Sequence, residues 1–269
     1  MTRSSAGEKH AEEKDFTEAN YGRLLELAAS KYRFESYGAA PEAPFVIWRH
    51  DVDYSPQRAL AFAKIEAGLG LRCIYHVLVS SRYYNILEPD TGGVIRQIAG
   101  LGHEIGLHFD MDVGLEAEAV SQEQILDRIG LEKRLIEAVA GVPVTKMSFH
   151  NYVLHQSRLD RAADICGMLN SSTKTYQDGY KYVSDSNGIW RFDRLEDVLS
   201  EPPFPRLHVL THPVWWTPEP MPPVLRLRRV VDGRANANFD FYAAVMERDG
   251  RFQALAERLG FPAARSDAE

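Results

Sequence analysis

The chain alternates short apolar runs with longer stretches of helical periodicity, and this alternation predicts its architecture. Phe45-Val46-Ile47-Trp48 is unbroken apolar sequence and reads as a buried strand. Ser55-Pro56 follows, an N-cap residue with proline at the first helical position, so a helix is expected from there to Gly70. Residues 71–79, rich in β-branched and aromatic side chains, predict a second strand, with a helix over about 93–99 and a third strand over 104–109. Ser121 and Gln124 make a capping-box pattern, and Ile125, Ile129, Glu132 and Ile136 keep helical spacing toward Gly141. Residues 142–149 return as a strand. Beyond them 180–184 and 207–211 read as strands and 239–259 as helix, while the proline-rich stretches 201–205 and 213–223 read as loops. A helix over 16–29 opens the folded part, behind a charged, unpatterned tail of residues 1–15. Strands that alternate with helices predict an α/β fold with a parallel sheet, closed as a barrel or open and doubly wound.

Composition narrows the class. A chain of 269 residues can fold as one α/β domain. Its 45% hydrophobic and 26% charged content is that of an ordinary soluble protein, and a net charge of -7 argues against a track for nucleic-acid phosphates. No apolar run approaches a bilayer span, and the polar residues before Lys14 lack the core of a secretion signal. A cytoplasmic protein with neither nucleic-acid nor membrane partner is therefore expected. Cys73 and Cys166 each sit in an apolar stretch and are expected to pack as buried thiols rather than pair.

Residues able to do chemistry recur where the strands are expected to end: Asp51 and Asp53, His108, His150 and His212. In a parallel α/β barrel that is the face on which active sites are built, and two carboxylates with three imidazoles make a metal-site composition. Asp51 and Asp53 are two apart, so an extended backbone directs both to one face. Two such carboxylates repel unless a cation or proton separates them, although Asp53 could also help cap the helix starting at Ser55. His50 falls on the opposite face and reads as packing. His103 and Glu104, at a strand start, and His76, His155 and His208 read as structural or surface residues. Trp215 and Trp216, directly after His212, could stack on a sugar ring or close a loop over the core, and Asp185 carries the same two readings. No Gly-x-Ser-x-Gly elbow is present, which disfavours a serine nucleophile.

Arg49-His50-Asp51-Val52-Asp53 and Gly102-His103-Glu104-Ile105-Gly106-Leu107-His108 together resemble two signatures of the polysaccharide deacetylase superfamily, the NodB-like carbohydrate esterases. Thr211-His212-Pro213 is similar to a third. The resemblance implies a distorted (β/α)7 barrel over residues 16–265, with Asp51 as general base, Asp53 and His108 as ligands of a divalent metal, zinc first, and His212 as general acid. Ser148-Phe149-His150-Asn151, the segment 182–186 and His212 to Trp216 resemble a deacetylase-like branch associated with bacterial surface-polysaccharide and sugar-modification genes. In the family a second histidine follows four residues after the first, but this chain has Asp112 there. The third ligand therefore falls to His150, preferred as a strand-end residue, or to Asp112 or Asp110. The arginine-proline motif is also missing, and Arg49 could orient Asp51 instead. The implied activity is removal of an N-acetyl or other N-acyl group from an amino sugar, a nucleotide-linked sugar or a sugar-containing metabolite, with Asn151, Asp185, Trp215 and Trp216 at the substrate. The alternatives are a metal-dependent hydrolase of a non-sugar amide and a catalytically silent carbohydrate-binding homologue.

Overall fold

The structure, a computed structural model, describes residues 13–111, 121–150, 159, 162–248 and 258. The chain divides into two compact units, Met1–Leu227 and Arg228–Glu269. The strands and candidate chemistry lie in the first; what is described of the second is the later part of one long helix and residue 258.

The first unit is built on one nine-stranded sheet: β1 (Arg33–Phe34), β2 (Phe45–Val52), β3 (Ile74–Leu78), β4 (Glu104–Asp110), β5 (Lys146–His150), β6 (Asp164–Ile165), β7 (Met168–Asn170), β8 (Lys181–Ser184) and β9 (Arg206–Thr211). The order in space is β6-β7-β5-β4-β3-β2-β9-β8, with β1 paired to the start of β2. Only the β6–β7 ladder is antiparallel. Followed from β2, the sheet steps through β3, β4, β5 and β7 in chain order, and β8 and β9 return on the other side of β2. This is the circular order of a barrel with a single seam, between the edge strands β6 and β8, where the described residues form no ladder.

Curvature follows from side-chain contacts. Arg49 on β2 donates a hydrogen bond of 3.1 Å to Ser171 Oγ, one residue past β7. Four ladders separate β2 from β7, about 19 Å across a flat sheet at about 4.8 Å per ladder. No arginine spans that distance laterally, so the sheet must curl on itself. The α/β class and the distorted, seven-stranded parallel barrel expected from the sequence are thus the fold observed.

Helices α1 (Glu18–Ala29), α2 (Pro56–Gly68), α3 (Pro89–Gly100) and α4 (Gln122–Ala140) alternate with the strands. Their starts follow the predicted cues. Thr17 caps α1 by accepting from Asn20 N–H, Ser55 caps α2 with proline at N1, and the Ser121–Gln124 capping box is fully formed. All eight positions of β2 are buried, as expected of a strand covered on both faces. Inward, Phe45 and Ile47 pack with Tyr37, Ile74 and Tyr176 at the base of the barrel. Above them lies a polar layer of Arg49, His76 and His208, each buried. Outward, His50 meets Glu66 of α2, its Nε2 2.7 Å from Oε1 and its Nδ1 2.7 Å from Thr211 Oγ1. Glu66 also accepts from the Tyr21 and Tyr75 hydroxyls, so this buried carboxylate is fully satisfied.

Several expectations are revised. Helix α7 (Pro223–Arg248) starts at Pro223, the last residue of the expected loop, rather than at residue 239. The segment 213–223 opens with a 3₁₀ turn, Pro213–Trp215. The β6–β7 hairpin and the short helices α5 (Lys174–Asp178) and α6 (Leu195–Ser200) were too brief for a periodic signal. Cys166 is exposed rather than buried, because Cys166 and Gly167 are the two turn residues of that hairpin, with φ of 53° and 70°. Cys73 is buried as expected. The end of the presumed tail is anchored, since Asp15 is buried and accepts 2.6 Å from Arg194 Nε. No described helix is long and apolar enough to cross a membrane.

Candidate active site

A cavity of about 660 Å³ opens at the C-terminal ends of the strands. Asp51, Asp53, His108, His150 and His212 all line it, although they come from β2, β4, β5 and the end of β9. The barrel's curl closes the distance. His150 Nδ1 lies 3.6 Å from Asp53 Oδ1, and His212 Nε2 lies 3.7 Å from Asp53 Oδ2, although their strands are four ladders apart. His108 Nε2 is 3.3 Å from Asp53 Oδ1 and 3.2 Å from His150 Nδ1. One carboxylate oxygen and two imidazole nitrogens therefore face a shared point, within 4.8 Å of one another. The other nitrogen of His108 is fixed by Ser148 Oγ at 2.7 Å, which sets the ring's orientation.

Asp51 is held differently. Its Oδ2 accepts from Arg49 Nη2 at 2.6 Å, and that arginine also reaches Ser171, while Oδ1 is buried without a hydrogen-bond partner. Burial would push this carboxyl up, but the Arg49 guanidinium, with His108, His76 and His212 around it, outweighs burial and holds Asp51 well below the usual carboxylate range. Asp53 is also lowered: burial opposes ionisation, but the His108, His212 and His150 imidazoles around it prevail.

His212 sits in a clamp. Both oxygens of Asp185 accept its backbone N–H, at 2.9 and 3.0 Å, and Oδ1 lies 2.7 Å from Nδ1. Burial alone would lower the imidazole, yet the hydrogen bond and charge of Asp185 lift it to about 9. With Nδ1–H committed to Asp185, Nε2 is left facing the carboxylates across the cavity. Asp185 also accepts from Trp216 Nε1 at 2.7 Å.

These placements sort the remaining sequence candidates. Asp185 is completely buried with both oxygens occupied, so it acts on His212 and offers nothing to a ligand. Trp216 is likewise completely buried, packed on Phe16, Tyr21 and Phe62, and it does not line the cavity; it has no free face for a sugar ring. Trp215 does line the cavity, beside Tyr54 at 5.8 Å between centroids. Asp110 ends β4, half-buried, and is not among the lining residues. Asn151, Asp112 and His155 lie outside the described residues.

Sequence reasoning missed His76, Ser171, Tyr182, Arg191 and Phe192. His76 is the neighbour of Asp51 across the β2–β3 ladder, its Nδ1 3.7 Å from Oδ1, and neither ring nitrogen has a partner. Gly106 makes room for it, because a Cβ there would stand 2.5 Å from His76 Cδ2. Period-two alternation within β3 puts residue 76 on the inner face, but only the register puts it beside Asp51.

No protein-family model matches the chain, and no curated protein matches it in sequence. Solved structures overlay in part. A CE4 family pseudoenzyme from Bacillus anthracis matches at 13% identity and TM-score 0.42, over 74% of this chain and 63% of that one, so the chain spans under two thirds of that protein's length. A peptidoglycan N-acetylglucosamine deacetylase matches at 15% identity and TM-score 0.44, over 78% and 90% of the two chains. The chitin deacetylase from the fungal pathogen Colletotrichum lindemuthianum matches at 14% identity and TM-score 0.41, over 71% and 83%. At TM-scores below 0.5 none of these overlaps carries weight for the chemistry.

Proposed function

We propose that the chain is a metal-dependent hydrolase that removes an N-acetyl group from an amino sugar or sugar-containing metabolite. The observation that supports it is the convergence of Asp51, Asp53, His108, His150 and His212 at the strand ends of a parallel barrel, in a cavity large enough for a sugar. The motifs around Asp51 and His108 that resemble polysaccharide deacetylases point the same way.

The residues fit a divalent cation. Asp53 Oδ1 is buried with no hydrogen-bond partner, and two imidazole nitrogens face it at 3.3 and 3.6 Å. An oxygen and two nitrogens with an open cavity on the remaining side make the donor set of a catalytic zinc-type site. Asp53, His108 and His150 would hold the ion, and when bound it supplies Lewis acidity and a water of lowered pKa.

The protein's own groups supply the proton transfers. Asp51 is ionised, and Arg49 pins one oxygen while Oδ1 stays available to accept a proton from an attacking water. His212, kept protonated by Asp185, presents Nε2–H to the leaving amine. Trp215 offers an aromatic wall for the sugar ring. The test is amine release from N-acetylated amino sugars by the wild type and Asp51→Asn. The variant should retain metal and lose activity by about 100-fold or more. Full activity in Asp51→Asn removes the base assignment, and wild-type activity only on non-sugar amides removes the sugar.

A further inference from the structure

Beyond the proposed chemistry, we infer that the substrate carries an anionic group, a carboxylate or phosphate, and that Arg191 at the cavity reads it. The inference rests on the hydrolase reading for the identity of the reaction, but its charge argument concerns binding and stands apart from turnover.

The charges lining the cavity are Arg49, Asp51, Asp53, Arg191 and the imidazolium of His212, which Asp185 offsets. Arg49 and Asp51 neutralise each other at 2.6 Å, and Asp53 faces the imidazoles. Arg191 has no carboxylate partner among the described residues; its guanidinium lies 5.3 Å from the ring centroid of Phe192, which also lines the cavity. In a chain of net charge -7 the overall field disfavours an anionic ligand, and a guanidinium at the cavity with no carboxylate partner among the described residues is a local feature able to reverse that. Guanidinium geometry suits carboxylate and phosphate oxygens, which it can bind through paired N–H donors.

The segment that carries Arg191 is held to the site at several points. Asp185, at its start, clamps His212 and Trp216. Asn187 adopts a left-handed φ of 60°, a turn conformation that asparagine accepts more readily than other non-glycine residues, and it lines the cavity with Ser186. Gly188 packs so closely on Trp215 and Pro223 that an added Cβ would come within 3.1 Å of each. Arg191 N–H then donates to Ser184 O at 2.9 Å, closing the loop. The residue that would read the anion is thus on a braced loop shared with the clamp of the proton donor. Phe192 is 62% exposed and supplies an apolar surface beside the charge, which suits a sugar that carries an acidic substituent.

The experiment compares wild type, Arg191→Gln and Arg191→Lys on three N-acetylated probes: a neutral N-acetylglucosamine oligosaccharide, an N-acetylated aminouronic acid, and a nucleoside-diphosphate N-acetyl sugar. Both kcat/KM and binding, followed by quenching of tryptophan fluorescence, are measured. Wild type is expected to favour one anionic probe by about tenfold or more, the range of one charge-assisted hydrogen bond, with Arg191→Gln losing that preference because it weakens the anionic probe far more than the neutral one. Whichever anionic probe shows the effect tells carboxylate from phosphate. Equal affinity for neutral and anionic probes in the wild type, or an equal loss on all three in Arg191→Gln, overturns the inference. Arginine-dependent preference in binding without any amine release supports Arg191 while defeating the hydrolase.

Discussion

His208 makes the fold acid-sensitive in a way that can be measured without any substrate. It lies buried in the barrel's polar layer, with Nε2 2.8 Å from the Tyr37 hydroxyl and Nδ1 3.2 Å from the Tyr176 carbonyl. The carbonyl can only accept, so Nδ1 carries the hydrogen and Nε2 accepts from the tyrosine. Both nitrogens are thereby used in the neutral form, and a second proton on Nε2 would require the Tyr37 hydroxyl to give up its donation. Burial first, and the nearby Arg49 guanidinium second, depress the imidazole from 6.5 to about 3. Between those values the unfolded chain binds a proton that the folded chain refuses, so stability is intact above about pH 6.5 and falls as the pH drops toward 3. At about 1.36 kcal/mol per pH unit, acidification from pH 7.5 to 5.0 removes about 2 kcal/mol through this residue alone. His208→Gln keeps a donor and an acceptor but cannot titrate. Urea unfolding at the two pH values should show the drop in stability shrinking by about 2 kcal/mol in the variant, whatever its cost at pH 7.5. Equal drops in the two proteins would show that His208 is protonated, or exposed, in the fold.

The metal shell, the proton donor and the barrel interior each give a further outcome. Zinc at about 100 times its dissociation constant should stabilise the wild type by about 2.7 kcal/mol, or roughly 5–10 °C in melting temperature, and His108→Ala should lose that gain; an equal shift in both proteins places the ion elsewhere. Asp185→Asn removes the hydrogen-bonded charge that raises His212, so the alkaline limb of kcat/KM should move acidward relative to the wild type. An unmoved limb in a pH profile of the variant excludes His212 as the titrating acid. Gly106→Ala drives a methyl into the His76 ring and should cost about 1–3 kcal/mol, a cost that His76→Ala largely relieves in a double-mutant cycle. Additive losses would mean that the backbone of Lys146, 3.1 Å from the added Cβ, rather than the ring, is the obstacle.

The parts of this structure that were legible beforehand are those governed by local chemistry. Capping at Ser55 and Ser121, the shared face of Asp51 and Asp53, and the strand-end positions of His108, His150 and His212 all follow from spacing and residue type. What was not legible depends on quantities that no local pattern contains. Whether Trp216 meets solvent is decided by the packing of Phe16, Tyr21 and Phe62 around it, residues from two other helices and a turn. Whether His76 belongs to the site is decided by a ladder register, and Asp185 acquires its role because β8 pairs alongside β9 and delivers it next to His212. The curl of the sheet matters most. In a flat sheet of the same order, His150 and His212 would end about 19 Å apart and no single carboxylate could face both; in the barrel Asp53 does, at 3.6 and 3.7 Å. The chemistry therefore depends on closure, and a change that opens the β9–β2 ladder should abolish the cluster even if every one of its five side chains is kept.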